Sequence, residues 1–221
     1  MVLGSTKMRL IMSPNERTSA GPSTERDLWP DFGQRLALVP IRALGAEHRD
    51  MLRRHLLALD AADRYLRFGC AASDAQVNAY VDHIDFVRDE VYGVFNRRLQ
   101  LIAAAHLALP GDGSAEFGVS VLPAGRGKGI GTRLFERAAI HARNRGIACL
   151  TMQCLTHNAP MVRIARRAGM RVHVSGSDTE GVLQVPPGDL RSRLDEWLED
   201  ATGGIDFALK LGRRRSGAQS A

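Results

Sequence analysis

Apolar residues recur along this chain at alternating spacings, and the alternation predicts strands and helices in turn. Leu36 to Ile41 is a short apolar run that reads as a strand ending near Pro40. Within Glu47 to Leu59, residues Leu52, Leu56 and Leu59 fall at helical spacing, so a helix follows. Val77, Val81 and Ile84 repeat in the same way, and Ser73 or Asp74 is placed to cap that second helix. Val91 to Phe95 and Leu99 to Leu109 flank Asn96-Arg97-Arg98 and predict a hairpin. A third strand, Ala115 to Leu122, comes after the turn Gly111-Asp112-Gly113.

From Gly129 the period is that of a helix. Leu134, Ala138 and Ala142 form one stripe with Phe135 and Ala139 beside it, until Gly146 ends the element. Ile147 to Leu155 is nearly continuously apolar, as in a strand buried on both faces, and implies a parallel neighbour. Asn158 caps a predicted helix reaching Ala168, with Gly169 as its stop, and Met170 to Val174 is strand-like. Val182 to Val185 reads as an edge strand and Leu190 to Leu198 as a last amphipathic helix, with Leu194, Trp197 and Leu198 seated on the domain or on a second subunit of a homodimer. These elements predict an α/β chain with one domain over 35–200. Residues 1–34, rich in Ser, Thr, Pro, Gly and charge, read as a disordered leader, and 201–221 as a C-terminal segment whose basic tail begins at Gly212.

Composition changes this picture little. Hydrophobic residues make up 44% and charged residues 24%, which is ordinary for a folded globular chain. The net charge of +6 comes mostly from Arg, whose fork suits phosphate and carboxylate oxygens. That charge is spread along the sequence, its one tight run being Arg213-Arg214-Arg215, so a nucleic acid is not the expected partner. Cys70, Cys149 and Cys154 have neither the spacing of a zinc site nor the even count of a disulfide framework, and read as reduced core thiols. No signal peptide and no 18-residue apolar run is present, which predicts a cytoplasmic protein without a membrane partner.

The chemical signal lies between the third strand and the helix that follows. In Arg126-Gly127-Lys128-Gly129-Ile130-Gly131 three glycines remove side chains where backbone amides could approach an anion. The helix N-terminus, with Thr132 in its first turn, adds a partial positive charge, and Arg126 and Lys128 supply mobile countercharge. A nucleotide P-loop would need Ser or Thr after Lys128, and Gly129 stands there. A dinucleotide fingerprint begun at Gly127 would need a glycine where Thr132 stands. A glycine-rich turn that merely caps a helix is the bland alternative.

Arg126-x-x-Gly129-x-Gly131, between a strand and a helix, resembles the Arg/Gln-x-x-Gly-x-Gly/Ala signature of the GNAT superfamily of N-acyltransferases. Asn158, Met161, Ile164, Ala165 and Gly169-Met170 resemble that family's later segment, and the likeness covers roughly residues 36–186. Tyr65-Leu66-Arg67-Phe68 after the first helix looks like the opening of the branch that acetylates protein lysines. The resemblance implies a mixed, mostly antiparallel central sheet with one parallel pair at a splay, flanked by helices. It also implies acetyl-CoA as cosubstrate, bound by the backbone of Val119, Ser120 and Val121, by the loop and by Asn158, and an amine acceptor, either a protein lysine or a small molecule.

Such a transfer needs a neutral amine, and only about one alkyl ammonium in a thousand is neutral at pH 7. Glu116 is the candidate base, since a Glu at the matching place of the family often takes this proton; a strand Glu in a cross-strand ion pair is the plain alternative. One departure stands out. Where many relatives carry a Tyr as acid for the leaving thiolate, this chain has Ala165, which leaves open a noncatalytic acyl-CoA sensor on the same fold. His157 and His106 read as structural before catalytic. Arg163, Arg166 and Arg167 share one helix, either as a solvated face or in reach of the cofactor's 3′-phosphate.

Overall fold

In a computed structural model the chain is described over residues 39–218. Seven strands form one sheet in the order β1-β2-β3-β4-β5-β7-β6, where β1 is Arg42–Ala43, β2 Glu90–Phe95, β3 Leu101–Ala108, β4 Ser114–Val121, β5 Cys149–Leu155, β6 Arg171–Ser175 and β7 Asp178–Gln184. All neighbours are antiparallel except β4 and β5. The helices are α1 Arg49–Leu57, α2 Ala61–Phe68, α3 Asp74–Asp82, α4 Ile130–Asn144, α5 Ala159–Arg167 and α6 Leu190–Ala218.

Strand alternation divides the core in two. Tyr92, Val94, Ala103, Ala105, Leu107, Ala115 and Phe117 meet Leu134, Phe135 and Ala138 of α4 and Met161 and Ile164 of α5 on one face. On the other face Val91, Phe95, Leu101 and Ala104 meet Leu52 and Leu56 of α1 and Val77 and Val81 of α3. α3 is fixed at its start by a capping box, Ser73 Oγ accepting from Gln76 N–H and Gln76 Oε1 from Ser73 N–H.

The structure corrects several expectations. The first strand is Arg42–Ala43 and not Leu36 to Ile41, of which residues 36–38 lie outside the described residues. Ile147 to Leu155 is buried on one face only: Leu150 and Met152 enter the core while Gln153 is exposed, and the buried cluster under α1 and α3 on the other face takes in residues of β2 and β3 but none of β5. The segment around Val182 to Val185 is no edge. β7 sits between β5 and β6, and β6 is the edge strand. An unpredicted helix, α2, is capped by Asp60, whose Oδ1 accepts from Asp63 N–H at 2.8 Å, and stopped by Gly69 in the left-handed region at φ 69°.

The last helix is the largest difference. It runs for 29 residues instead of nine, through the predicted tail. Its inner face carries Glu196, Glu199 and Asp200, which take the guanidiniums of Arg133 and Arg137 on α4, and His141 Nδ1 reaches Glu196 at 2.6 Å. Further on, Phe207 packs edge-on to Phe95 at 4.9 Å and under the Arg42 guanidinium at 3.9 Å. Leu194, Trp197 and Leu198 are exposed on the outer face and not seated on this domain.

Candidate active site

β4 and β5 pair at Ser114 with Cys149, Ala115 with Leu150 and Glu116 with Thr151, and then part. Beyond that point β4 stays with β3 as far as Val121, and β5 stays with β7 as far as Leu155, so the sheet opens between them. Leu122 N–H donates to Ile102 O. By alternation Ser120 and Gly118 also turn their backbone to β3, whereas Phe117, Val119 and Val121 turn theirs to the opening. Of the three residues expected along this strand, only Val119 and Val121 therefore offer peptide groups there, and the Val121 carbonyl already accepts from Arg126 Nε at 3.1 Å. Ser120 lines the opening but uses its hydroxyl on His55.

The opening continues into a cleft of about 540 Å³ between β4, α2 and α5. Gly125, Arg126, Gly127, Gly129, Ile130, Gly131 and Thr132 line one end. Gly129, at φ 72°, is the N-cap residue of α4, and no side chain caps that helix. The first-turn amides of Ile130, Gly131 and Thr132 have no partner among the described residues. A Cβ at Gly131 would lie 3.2 Å from Ile164 Cδ1, so the glycine lets α5 close on α4. Asn158 is buried at the N-terminus of α5, its Oδ1 accepting from Met161 N–H at 3.3 Å, and lines the cleft.

Of the two expected countercharges, Arg126 lines the cleft and Lys128 does not. Lys128 Nζ donates to Ala124 O at 2.8 Å. Arg126 is paired with Asp63 of α2, so it fastens α2 and the loop to the end of β4. Of the cations lining the cleft, those without a hydrogen bond or ion pair among the described residues are Arg163 and Arg167, one turn apart on α5; Arg166 does not line it. Asp63, Leu66 and Arg67 line it from α2, whose sequence signal was the pair of ends Asp60 and Gly69.

Glu116 lies two residues before Gly118 on the face of β4 that meets α1 and α2, half-buried, with no hydrogen bond or ion pair among the described residues. It stands just outside the cleft lining. His106 is engaged with Tyr80 Oη at 2.7 Å and Asp89 Oδ2 at 3.2 Å. His157 stacks on Tyr65, at 6.4 Å between ring centroids, outside the lining. Ala165 is buried; a Cβ at Gly181 would lie 3.4 Å from its methyl. Cys149 and Cys154 are half-buried on β5, and burial pushes both thiols up.

His55 braces the start of the opening from α1. Its Nδ1 lies 2.9 Å from Leu101 O, which can only accept, so Nδ1 carries the proton and Nε2 accepts from Ser120 Oγ at 2.8 Å. Burial lowers its pKa from 6.5 to about 4, against the opposing pull of the Leu101 carbonyl. Between those values the unfolded chain binds a proton that the folded one does not. This contribution to stability is complete above the unfolded value and is lost as pH falls from 6.5 towards 4, by about 3 kcal/mol in all. Urea melts of the wild type and His55→Gln at pH 7.5 and pH 5 are expected to show a drop in the wild type that the variant lacks. Equal drops would assign the acid sensitivity to other groups.

A mixed sheet splayed at its one parallel pair, with a glycine turn and an uncapped helix at the splay, defines the class of this protein. Residues 57–170, more than half the chain, match the model of the acetyltransferase (GNAT) family, and the chain belongs to that family. Among solved structures it is similar to the GNAT domain of S. lividans PAT, at 21% identity and a TM-score of 0.55 over 65% of this chain and 89% of that one. It is also similar to spermidine N-acetyltransferase from Vibrio cholerae in complex with CoA and spermine, at 17% identity and a TM-score of 0.52 over 66% and 94% of the two chains. At such identities the likeness is one of fold. No curated protein sequence matches significantly. No helix among the described residues is long and apolar enough to cross a membrane.

Proposed function

We propose that this protein is a cytoplasmic N-acetyltransferase that transfers the acetyl group of acetyl-CoA to a primary amine, on a protein lysine or a small molecule, by direct attack in a ternary complex. The observation that carries the reading is the parting of β4 from β5, which leaves the peptide groups of Val119 without a strand partner beside an uncapped helix. A pantetheine arm resembles a peptide and can pair with such an edge. The amides of Gly127 to Thr132 suit the pyrophosphate, Asn158 Nδ2 has no partner among the described residues and suits a carbonyl of the arm, and Arg163 and Arg167 supply charge.

Glu116 takes the proton from the acceptor ammonium, directly or through a water. The freed amine forms the new N–C bond as the C–S bond breaks, and the second proton shed by the nitrogen goes to the departing thiolate, directly or through water, to give the free CoA thiol. Val119 N–H is available to the negative charge that develops on the thioester oxygen, a donor typically worth about 3 kcal/mol. A CoA thiol is a fair leaving group, so the absence of an acid at Ala165 is compatible with turnover.

Calorimetric titration with acetyl-CoA and release of free thiol across a panel of peptides, polyamines and amino acids test the reading. Binding with thiol release is expected. Binding without release across the panel would support the alternative of a noncatalytic acyl-CoA sensor, and no binding would overturn both. Arg163→Ala and Arg167→Ala are each expected to weaken acetyl-CoA about tenfold, the scale of one charge-assisted contact. Unchanged affinity would return both residues to a solvated face.

A further inference from the structure

Arg67 is a cation that the acetyl transfer just described does not use. Its guanidinium lies flat on the Cα of Gly118: a Cβ there would stand 2.8 Å from Nη2, 2.9 Å from Cζ and 3.0 Å from Nη1. Gly118 adjoins Val119, whose peptide groups face the opening, and Arg67 lines the cleft there. Three residues of strand, about 10 Å, separate this point from the glycine turn after Val121, so Arg67 serves the end of the cleft away from the phosphates.

The guanidinium is held by a directed chain. Arg67 Nη2 donates to Tyr80 Oη at 2.7 Å. The Tyr80 hydroxyl then donates to His106 Nδ1 at 2.7 Å, and His106 Nε2–H donates to Asp89 Oδ2 at 3.2 Å. Burial pushes the Asp89 carboxyl up, but the hydrogen bonds from His106, Arg88 and the Leu109 amide outweigh it and hold the group well below the usual carboxylate range. Asp89 is thus satisfied by its own neighbours, and Arg67 meets a neutral hydroxyl and no carboxylate. Of five guanidinium donors one is used inside the described residues, which leaves Nη1 and Nε without a hydrogen bond there, while Cζ lies 5.2 Å and 5.3 Å from the ring centroids of Phe68 and Tyr80 and the residue lines the cleft.

We infer that Arg67 is the carboxylate anchor of this site, and that the natural reaction involves a substrate bearing a carboxylate next to the reacting atoms. The inference rests on the acyltransferase reading above. Glu116 and Gly118 stand on the same face of β4, about 7 Å apart along the strand. An acceptor with an amine and a carboxylate on one carbon places the amine at Glu116 and the carboxylate on Arg67, as a free α-amino acid would. A dicarboxylic acyl group would present the same chemistry from the donor side.

Paired substrates separate the two sources. With acetyl-CoA as donor, leucine, lysine and phenylalanine are compared with 3-methylbutylamine, 1,5-diaminopentane and phenethylamine, and with a lysine peptide blocked at both ends. With each acceptor, succinyl-CoA is compared with butyryl-CoA. The expected result is a kcat/KM at least about tenfold higher for the carboxylate-bearing member in one arm. That ratio collapses in Arg67→Gln and falls in Gly118→Ala, whose new Cβ displaces the guanidinium without removing its charge. Tyr80→Phe, which removes the support, lowers it as well. Reading a ratio within each variant separates anchoring from a general loss of fold or turnover.

Equal rates within every pair, or a preference that survives Arg67→Gln, would overturn the assignment while leaving the acyltransferase reading intact. If no pair releases thiol, calorimetry decides. Failure to bind acetyl-CoA removes both readings, whereas tight acetyl-CoA binding with indistinguishable succinyl-CoA and butyryl-CoA and no uptake of leucine by the acetyl-CoA complex removes this one alone.

Discussion

Glu116→Gln is expected to lower the rate of acetyl transfer between about 100-fold and 10,000-fold, the range over which a positioned base contributes. The substitution keeps the size of the side chain and its place on β4, so acetyl-CoA affinity should be unchanged. Because the half-buried carboxylate has no internal partner among the described residues, its loss leaves no buried group unpaired and little stability is at stake. The pH–rate profile separates the roles. If Glu116 is the base, the profile of Glu116→Gln should differ from that of the wild type. An unchanged rate with an unchanged profile would make Glu116 an ordinary strand residue.

Arg137→Ala should cost the fold about 3–5 kcal/mol, the usual penalty for removing one partner of a buried ion pair. Arg137 is 2% exposed and meets Glu196 at 3.0 Å, Glu199 at 3.5 Å and Asp200 at 2.7 Å, joining α4 to α6. Without it, Glu196 and Glu199 stay partly buried with less charge to oppose them. Domains of this kind have roughly 5–15 kcal/mol in all, so a large downward shift of the urea midpoint is expected. Glu199→Gln in the same chain should recover part of the loss by removing one of the carboxylates that Arg137 had opposed, since Glu199 then keeps only Arg133 against its charge. A loss below about 1 kcal/mol would show that α6 is held by Phe207 and not by these charges.

Such ion pairs also mark where sequence reading stopped. Residues 190–198 show helical spacing, but the reason the helix continues lies in distant residues: Arg133 and Arg137 on α4 meet its acidic face, and Phe95 and Arg42 receive Phe207. No local pattern announces a partner some 60 positions away. The same holds for α2, whose ends Asp60 and Gly69 are ordinary residues until its side chains are seen to line the cleft. Lys128 is the opposite case. Its position beside three glycines suggested a phosphate ligand, and the loop turns its ammonium back to Ala124.

By itself the sequence determined what local chemistry dictates: α4 with its glycine-rich start, the hairpin of β2 and β3, the Asn158 cap of α5, and the motif by which the chain resembles its family. Those features depend on periodicity, on caps and on glycine's access to left-handed backbone, all of which act within a few residues. Only the tertiary structure decided which peptide groups stay unpaired when β4 leaves β5, and which cations reach the opening. Strand pairing and side-chain direction are settled by elements far apart in sequence. For that reason Arg163 and Arg167 could be singled out from the sequence only as members of a basic face, and Arg67 only as part of a family likeness, until the fold set them around one cleft.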